Sequence, residues 1–156
     1  MTSAPALIRF SGPIARRLLR AGLPMGPNLL LTVRGRASGR PRTVPVAVVK
    51  TGGRRFVVGT FGDVHWTRNL RAAGEAELND DGRWEPVEAV ELTREEATAF
   101  FRDTLPAYLR SMPLAWRALT RVLVRIAAPE IVGDPQRAAR RRPVFELRRR
   151  AAATVA

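Results

Sequence analysis

The chain has 156 residues, no cysteine and a formal net charge of +13 at pH 7. Its length fits one domain, residues 1–156, and its apolar content of 46% is enough for a hydrophobic core. A disulfide scaffold, a zinc ribbon and a thiol enzyme are excluded by the missing cysteines. The single histidine, His65, makes a histidine-rich metal site or a Ser-His-Asp hydrolase a poor fit, and we expect no metal.

The positive charge is concentrated at the two ends of the sequence. Residues 1–62 contain eleven basic side chains and no carboxylate, whereas residues 63–130 contain nine basic and twelve acidic side chains. Residues 131–156 are again basic. This distribution implies an anionic partner for the N-terminal half: nucleic acid, an anionic membrane surface, or a small ligand bearing phosphate or carboxylate.

Four apolar side chains between residues 5 and 21 recur at spacings of three and four, which predicts a short amphipathic helix within residues 1–22. They are Leu7, Phe10, Ile14 and Leu18. Such a helix either covers the core of its own domain or lies on a membrane surface. The longest charge-free stretch near the N-terminus, residues 21–33, is too short for a transmembrane span and is broken by glycine and proline. Arginines interrupt the apolar region that a signal peptide would need, so we expect a cytoplasmic protein.

The middle of the chain has the pattern of an antiparallel sheet. Five runs rich in valine and other apolar residues are separated by turn residues. The predicted strands are residues 29–34, 42–50, 54–60, 75–78 and 84–92, with a short helix at residues 65–73. Short connections between neighbouring strands favour a barrel or sandwich over a βαβ sheet, with its core at residues 29–92.

Helices follow the sheet, within residues 93–127. Thr93 and Glu96 have the spacing of a capping box. The side chains expected on the buried side of this first helix are Ala97, Phe100, Phe101, Leu105 and Tyr108. Pro106 should kink or restart it.

A second helix is predicted at residues 113–127, and a last strand at residues 143–148. The helix has an apolar stripe formed by Trp116, Leu119, Leu123 and Ile126. A second stripe consists of Arg117, Arg121 and Arg125, which we interpret as a solvated face rather than an anion site.

The turn between the first two strands, residues 34–42, reads Arg-Gly-Arg-Ala-Ser-Gly-Arg-Pro-Arg. Its glycines allow backbone N–H groups to approach a ligand, the serine adds a hydroxyl donor, and guanidinium groups match pairs of phosphate or carboxylate oxygens. The turn is therefore either an anion-binding site or an ordinary solvated loop.

A second cluster follows the third strand. The small residue Gly59 leaves room for a flat ring, Thr60 offers a hydroxyl, and Trp66 and Asn69 lie three apart on one helix face. This set is suited to an aromatic cofactor whose anionic arm reaches the arginine-rich turn. The alternative is that Trp66 and Leu70 attach the helix to the barrel.

Four motifs, in this order, resemble the deazaflavin-dependent nitroreductase family of split β-barrel oxidoreductases. They are RASGRPRTVP at 36–45, a Gly-Gly turn at 52–53, FVVGT at 56–60 and WTRNLRA at 66–72. The resemblance covers roughly residues 29–92, and residues 143–147 resemble the family's closing strand. It implies an α+β or mainly β split barrel, similar to FMN-binding barrels, with helices packed on it. It also implies coenzyme F420, a deazaflavin bearing a phosphodiester and an oligoglutamate tail, whose reduced form passes a hydride to quinones, nitroaromatics or other activated unsaturated compounds.

The resemblance also implies roles for individual residues. The phosphate and acidic tail would be bound by Arg36, Ser38, Gly39, Arg40 and Arg42. The ring would lie beside Pro45, Val58, Gly59 and Thr60, with Trp66 and Asn69 supporting the same pocket. Thr60 stands where the family often has a serine, which implies a hydrogen bond to the ring or to a substrate oxygen.

The chain departs from the family pattern at Ala37, where relatives often have a lysine or another polar residue. Its one tyrosine, Tyr108, supplies no transferable proton donor. Two alternatives remain. The barrel could instead hold FMN or haem, or the chain could be a basic protein that binds nucleic acid or a membrane surface. Because its aromatic residues are few and not interleaved with arginines, we expect no nucleic acid. We expect a small-molecule substrate, a monomer or homodimer, and peripheral contact with anionic membrane through the N-terminal helix.

Overall fold

The structure, a computed structural model, describes residues 28–80 and 82–150. Within them, antiparallel strands form a closed barrel in the order β1-β2-β3-β6-β5-β4. The strands are β1 (Asn28–Arg34), β2 (Pro41–Thr51), β3 (Arg54–Val58), β4 (Glu75–Asp80), β5 (Arg83–Glu91) and β6 (Val144–Arg149). The predicted split barrel is confirmed, and the predicted last strand closes it between β3 and β5. The helix predicted at residues 1–22 lies outside the described residues.

Successive strand residues alternate between the barrel interior and its exterior. In the β1–β2 pair, for example, Leu31 lies opposite Val44 and both contribute to the interior. The fully enclosed interior side chains are Leu31, Val33, Val46, Val48, Val57, Leu78, Val87, Phe145 and Leu147. A second apolar cluster lies on the exterior of β2, β3 and β6, where Val49, Phe56 and Val144 pack against the C-terminal helices.

Helix α1 (His65–Ala73) packs against the interior cluster. Leu70 is fully buried within that cluster, and Trp66 packs against it. The helix begins after Asp63, whose Oδ1 accepts hydrogen bonds from Thr67 Oγ1 at 3.0 Å and Arg71 Nη1 at 3.1 Å. A carboxylate at this position is favourable because it faces the positive end of the helix dipole.

The predicted break in the helix after β5 takes the form of a π-helical segment. Helix α2 (Arg94–Ala99) starts with the predicted capping box, in which Glu96 N donates to Thr93 Oγ1 at 3.2 Å and Thr93 N donates to Glu96 Oε2 at 2.8 Å. The π segment (Phe100–Thr104) follows, and α3 (Leu105–Ser111) then restarts with Pro106 in its first turn. The backbone stays helical from Ala99 to Leu105, so the missing N–H of Pro106 interrupts the hydrogen-bond ladder of a continuous helical segment.

Three further helices follow: α4 (Leu114–Ala127), α5 (Glu130–Gly133) and α6 (Pro135–Arg141). The sequence predicts α4 but assigns no element to residues 128–142. Asp134 caps α6 by accepting a hydrogen bond from Arg137 N at 3.0 Å, and Pro135 occupies its first turn. These are ordinary start signals, but α5 and α6 are too short to show an amphipathic period.

The third strand is shorter than predicted. Thr60 N donates back to Val58 O at 2.9 Å, which bends the chain out of the sheet. Gly59 and Thr60 therefore lie in the loop that leads to α1 and not in β3. Within the described residues, no helix is long and apolar enough to cross a membrane.

Candidate functional site

The tip of the β1–β2 hairpin, residues 35–40, is a tight turn closed by its own backbone. Gly35 N donates to Arg40 O at 2.9 Å, and Gly39 N donates to Gly35 O at 2.8 Å. Gly39 has a φ of 70°, which glycine adopts without strain. A Cβ on Gly35 would lie 2.8 Å from Ser38 Oγ, so the missing side chain allows Ser38 to fold back over the turn.

The tip presents unpaired cationic donors to solvent. Arg36, Ser38, Arg40 and Arg42 are all exposed. Among the described residues, no hydrogen bond or ion pair engages the guanidinium of Arg40 or Arg42, and the sequence has no carboxylate before Asp63. Each guanidinium offers five N–H donors in a planar fork. The tip therefore has the donor set that binds phosphate and carboxylate groups.

Arg36 joins the hairpin tip to α1. Its backbone N donates to Asn69 Oδ1 at 3.2 Å, and its Nη1 donates to the same oxygen at 2.8 Å. Nη1 also lies 3.5 Å from the carbonyl oxygen of His65. Asn69 is 8% exposed, so this anchor is largely shielded from water. Two motifs that lie 33 residues apart in sequence are thereby brought together.

The small size of Gly59 is accounted for by packing within the chain. Gly59 N donates to Pro143 O at 2.8 Å, and a Cβ on Gly59 would lie 2.8 Å from Pro143 Cγ. Real Cβ atoms do not approach other atoms this closely. Room for a flat ring, which the sequence suggested, is therefore not needed to explain glycine here.

A buried ion pair holds the loop that carries Thr60. Arg142 Nη1 donates to Thr60 O at 2.7 Å, and its Nε and Nη2 donate to Glu130 Oε1 at 2.9 and 2.6 Å. Burial raises the pKa of Glu130, but its hydrogen bonds, including those from Arg142, outweigh this effect and hold the pKa below its usual value. The sequence did not predict this pair, because Glu130 lies on a four-residue helix and Arg142 directly follows another short helix. Arg142 is also 82 residues away from Thr60 in sequence.

The remaining candidate residues occupy different surroundings. Pro45 is exposed on the barrel exterior, opposite Leu30 in the β1–β2 register. The side chain of Val58 is buried in the second cluster, beneath the C-terminal helices. Trp66 packs against the barrel interior, which agrees with the alternative interpretation that Trp66 attaches the helix to the barrel. The structure thus joins Arg36 to Asn69 directly, and places the Val58 side chain in a separate apolar environment.

Sequence comparison identifies the family. The model of the F420H(2)-dependent quinone reductase family matches residues 8–113 of the chain. The chain belongs to this family. It is therefore an F420H2-dependent reductase whose cofactor is coenzyme F420, and the FMN alternative is not needed.

Several solved structures resemble the chain. An F420-H2-dependent reductase, FDR-A, is 25% identical, with 78% of this chain and 93% of that chain covered and a TM-score of 0.45. A domain-swapped dimer is 24% identical over 93% of this chain and 99% of that chain, with a TM-score of 0.49. A putative 5-nitroimidazole antibiotic resistance protein from Bacteroides thetaiotaomicron is 8% identical over 87% of this chain and 80% of that chain, with a TM-score of 0.52, and shares the fold. No curated protein sequence matches the chain.

The residues present fit an F420 cofactor. Its phosphodiester and oligoglutamate tail carry several negative charges, so a site for it needs exposed cationic donors. The hairpin tip supplies the guanidinium groups of Arg40 and Arg42 together with the Ser38 hydroxyl, and no acidic side chain on β1, β2 or β3 competes with them.

Proposed function

We propose that the chain uses F420H2 to reduce quinones and that the hairpin tip, α1 and the loop after β3 form its cofactor site. The observation that carries this proposal is the arrangement at the tip. Arg40 and Arg42 are exposed with no partner among the described residues, and the neighbouring Arg36 is fixed to α1 through Asn69.

The tip binds the anionic part of the cofactor in this proposal. The guanidinium groups of Arg36, Arg40 and Arg42 pair with oxygens of the phosphodiester and the glutamate tail. Ser38 Oγ accepts a hydrogen bond from Arg40 N at 3.2 Å, so its own proton remains available to the ligand. Gly39 has no side chain and allows the backbone to approach closely.

The ring lies beside Pro45 and the loop that carries Gly59 and Thr60, with Trp66 and Asn69 supporting the pocket from α1. Val58 borders the ring only through its backbone, because its side chain packs beneath the C-terminal helices. When bound, reduced F420 supplies the hydride, and the protein supplies binding, orientation and exclusion of water. Arg142 holds the carbonyl oxygen of Thr60 and thereby fixes the loop that carries the threonine hydroxyl. This hydroxyl has no hydrogen-bond partner among the described residues, and it donates to an oxygen of the ring or the substrate.

A quinone is the acceptor that we favour. Its reduction to a hydroquinone consumes one hydride and one proton, and the proton comes from solvent, since Tyr108 is partly buried in the second cluster. Nitroaromatics and other activated unsaturated compounds remain alternative acceptors. We further propose that the protein is cytoplasmic and is a monomer or homodimer. We also propose that its N-terminal helix contacts anionic membrane.

The experiment that tests the proposal is oxidation of F420H2 by the purified protein in the presence of a quinone, a nitroaromatic or an enone. We expect the quinone to give the highest kcat/KM. Faster turnover of the nitroaromatic would reassign the substrate, and protein that binds F420 but oxidises F420H2 with none of the three acceptors would refute reductase activity on these classes. Titration with FMN and haem under the same conditions separates the alternative ligands.

A further inference from the structure

Helix α4 directs a stripe of large apolar side chains towards solvent. The exposed fractions are 42% for Trp116, 49% for Leu119, 54% for Val122 and 73% for Ile126. At 100° per residue, these four side chains occupy an arc of about 120° on the helix. We call them the α4 stripe. An exposed apolar patch of this kind marks an interaction site more often than a free surface.

The helix is attached to the rest of the protein through its other side. Val124 packs against the second apolar cluster, and Arg117 Nη2 lies 3.4 Å from the carbonyl oxygen of Met112. Both residues lie about 80° or more from the α4 stripe on the helical wheel. Within residues 28–80 and 82–150, the contacts that hold α4 in place therefore leave the stripe exposed.

The surroundings of the stripe are cationic. The sequence contains no carboxylate between Asp103 and Glu130, but it contains Arg110, Arg117, Arg121 and Arg125. Arg121 and Arg125 are exposed and flank the stripe on the side of Val122. A partner for this surface must accept apolar side chains and arginines together.

Like charge argues against two possible partners. In a symmetric contact with a second copy, the same arginines would face one another. Residues 1–27 contain four arginines and no carboxylate, so covering the stripe with this segment would also bring like charges together. An anionic bilayer has neither problem, since its boundary region accepts tryptophan and leucine while its headgroups attract arginine.

We infer that α4 lies in the interface of an anionic lipid bilayer and docks the protein on it, with the α4 stripe inserted and Arg121 and Arg125 at the headgroups. This surface is distinct from the hairpin tip, and the inference does not depend on the identity of the substrate. Binding should weaken as salt is raised, because part of the attraction is electrostatic.

The test is co-sedimentation of the full chain with vesicles of phosphatidylcholine, alone or mixed with phosphatidylglycerol. We expect binding to the mixed vesicles that falls by about tenfold or more in a Trp116→Ser/Leu119→Ser variant, because the apolar anchors are lost. The matched control is Trp84→Ser, which removes a tryptophan of similar exposure (45%) on β5 and should leave binding unchanged. An Arg121→Gln/Arg125→Gln variant removes charge only and should reduce both the affinity and its salt dependence.

Two controls and three outcomes decide whether α4 binds the bilayer. Thermal unfolding and F420 affinity equal to wild type would show that the variants are folded with an intact cofactor site. The inference is overturned if the wild-type chain ignores mixed vesicles, or if α4 variants bind them like wild type while deletion of residues 1–21 abolishes binding. A concentration-dependent dimer that the Trp116→Ser/Leu119→Ser variant dissociates would assign the stripe to a second copy instead.

Discussion

Arg36 uses both its backbone N–H and its side chain to bind one oxygen atom, Oδ1 of Asn69, at 3.2 and 2.8 Å. Asn69 is therefore a positioning residue for the hairpin tip. This contact holds the arginine-rich turn against α1. Because the turn is already ordered, binding of a ligand costs less entropy than it would if the turn were free.

Replacing Asn69 with alanine should weaken F420 binding by about tenfold, which corresponds to about 1.4 kcal/mol. The reason is that Arg36 loses the acceptor of both hydrogen bonds. The measurement is fluorescence titration with F420, and Asn79→Ala is the control, because Asn79 is equally buried but caps the distant turn at Gly82. In the double variant Asn69→Ala/Arg36→Ala, the loss of F420 binding free energy should be smaller than the sum of the two single losses. Fully additive losses would show that the two residues act separately.

Substitution of Gly59 by alanine should destabilise the fold by about 1–3 kcal/mol, since the new Cβ meets Pro143 Cγ at 2.8 Å. Gly133→Ala is the control, because a Cβ there has no neighbour within 4 Å. The double variant Gly59→Ala/Pro143→Ala should recover part of the lost free energy of unfolding, measured by chemical denaturation. If Gly59→Ala is as stable as Gly133→Ala, the close approach is not a constraint.

Removing the guanidinium of Arg142 by an Arg142→Met substitution should cost about 3–5 kcal/mol, because it leaves the Glu130 carboxylate buried without its partner. The double variant Arg142→Met/Glu130→Leu should recover much of this stability, since no uncompensated charge remains. F420H2 oxidation should nevertheless stay impaired in the double variant, because Thr60 O has lost its donor. Activity restored together with stability would contradict the role of Arg142 in fixing the loop.

A second buried carboxylate should give the fold a measurable dependence on pH. Hydrogen bonds from Arg54 lower the pKa of Glu146 against the opposing effect of burial, and Arg148 lowers it further. A depressed pKa in the folded state stabilises the fold fully above the unfolded glutamate value near 4.3, and this contribution is lost as pH falls through the lower folded value.

The comparison that isolates this effect is the free energy of unfolding of wild type and Glu146→Gln from neutral pH to below pH 4. The advantage of wild type should be constant at neutral pH and shrink below about pH 4.3. A difference that is independent of pH throughout this range would show that the charge of Glu146 contributes nothing.

The strands could be predicted from the sequence because alternation and turn residues are local signals, and the capping box of Thr93 and Glu96 is local in the same sense. The contact between Arg36 and Asn69 depends on how α1 docks on the barrel, which no spacing encodes. For α4, periodicity located Trp116, Leu119 and Ile126 on one face but could not give the direction in which that face points. Glu130 lies on α5 and Arg142 directly follows α6, and both helices are too short to show a detectable pattern.

In the proposed function, the hairpin-tip arginines bind the acidic tail of the cofactor. The most direct measurement compares the affinity of the protein for intact F420 and for its deazaflavin core without phosphodiester and oligoglutamate, in wild type and in Arg40→Ala/Arg42→Ala. We predict that wild type binds intact F420 far more tightly, and that the variant loses this preference while its affinity for the core is unchanged. Equal losses for both ligands, or a preference that survives in the variant, would contradict the assignment of the tip to the tail.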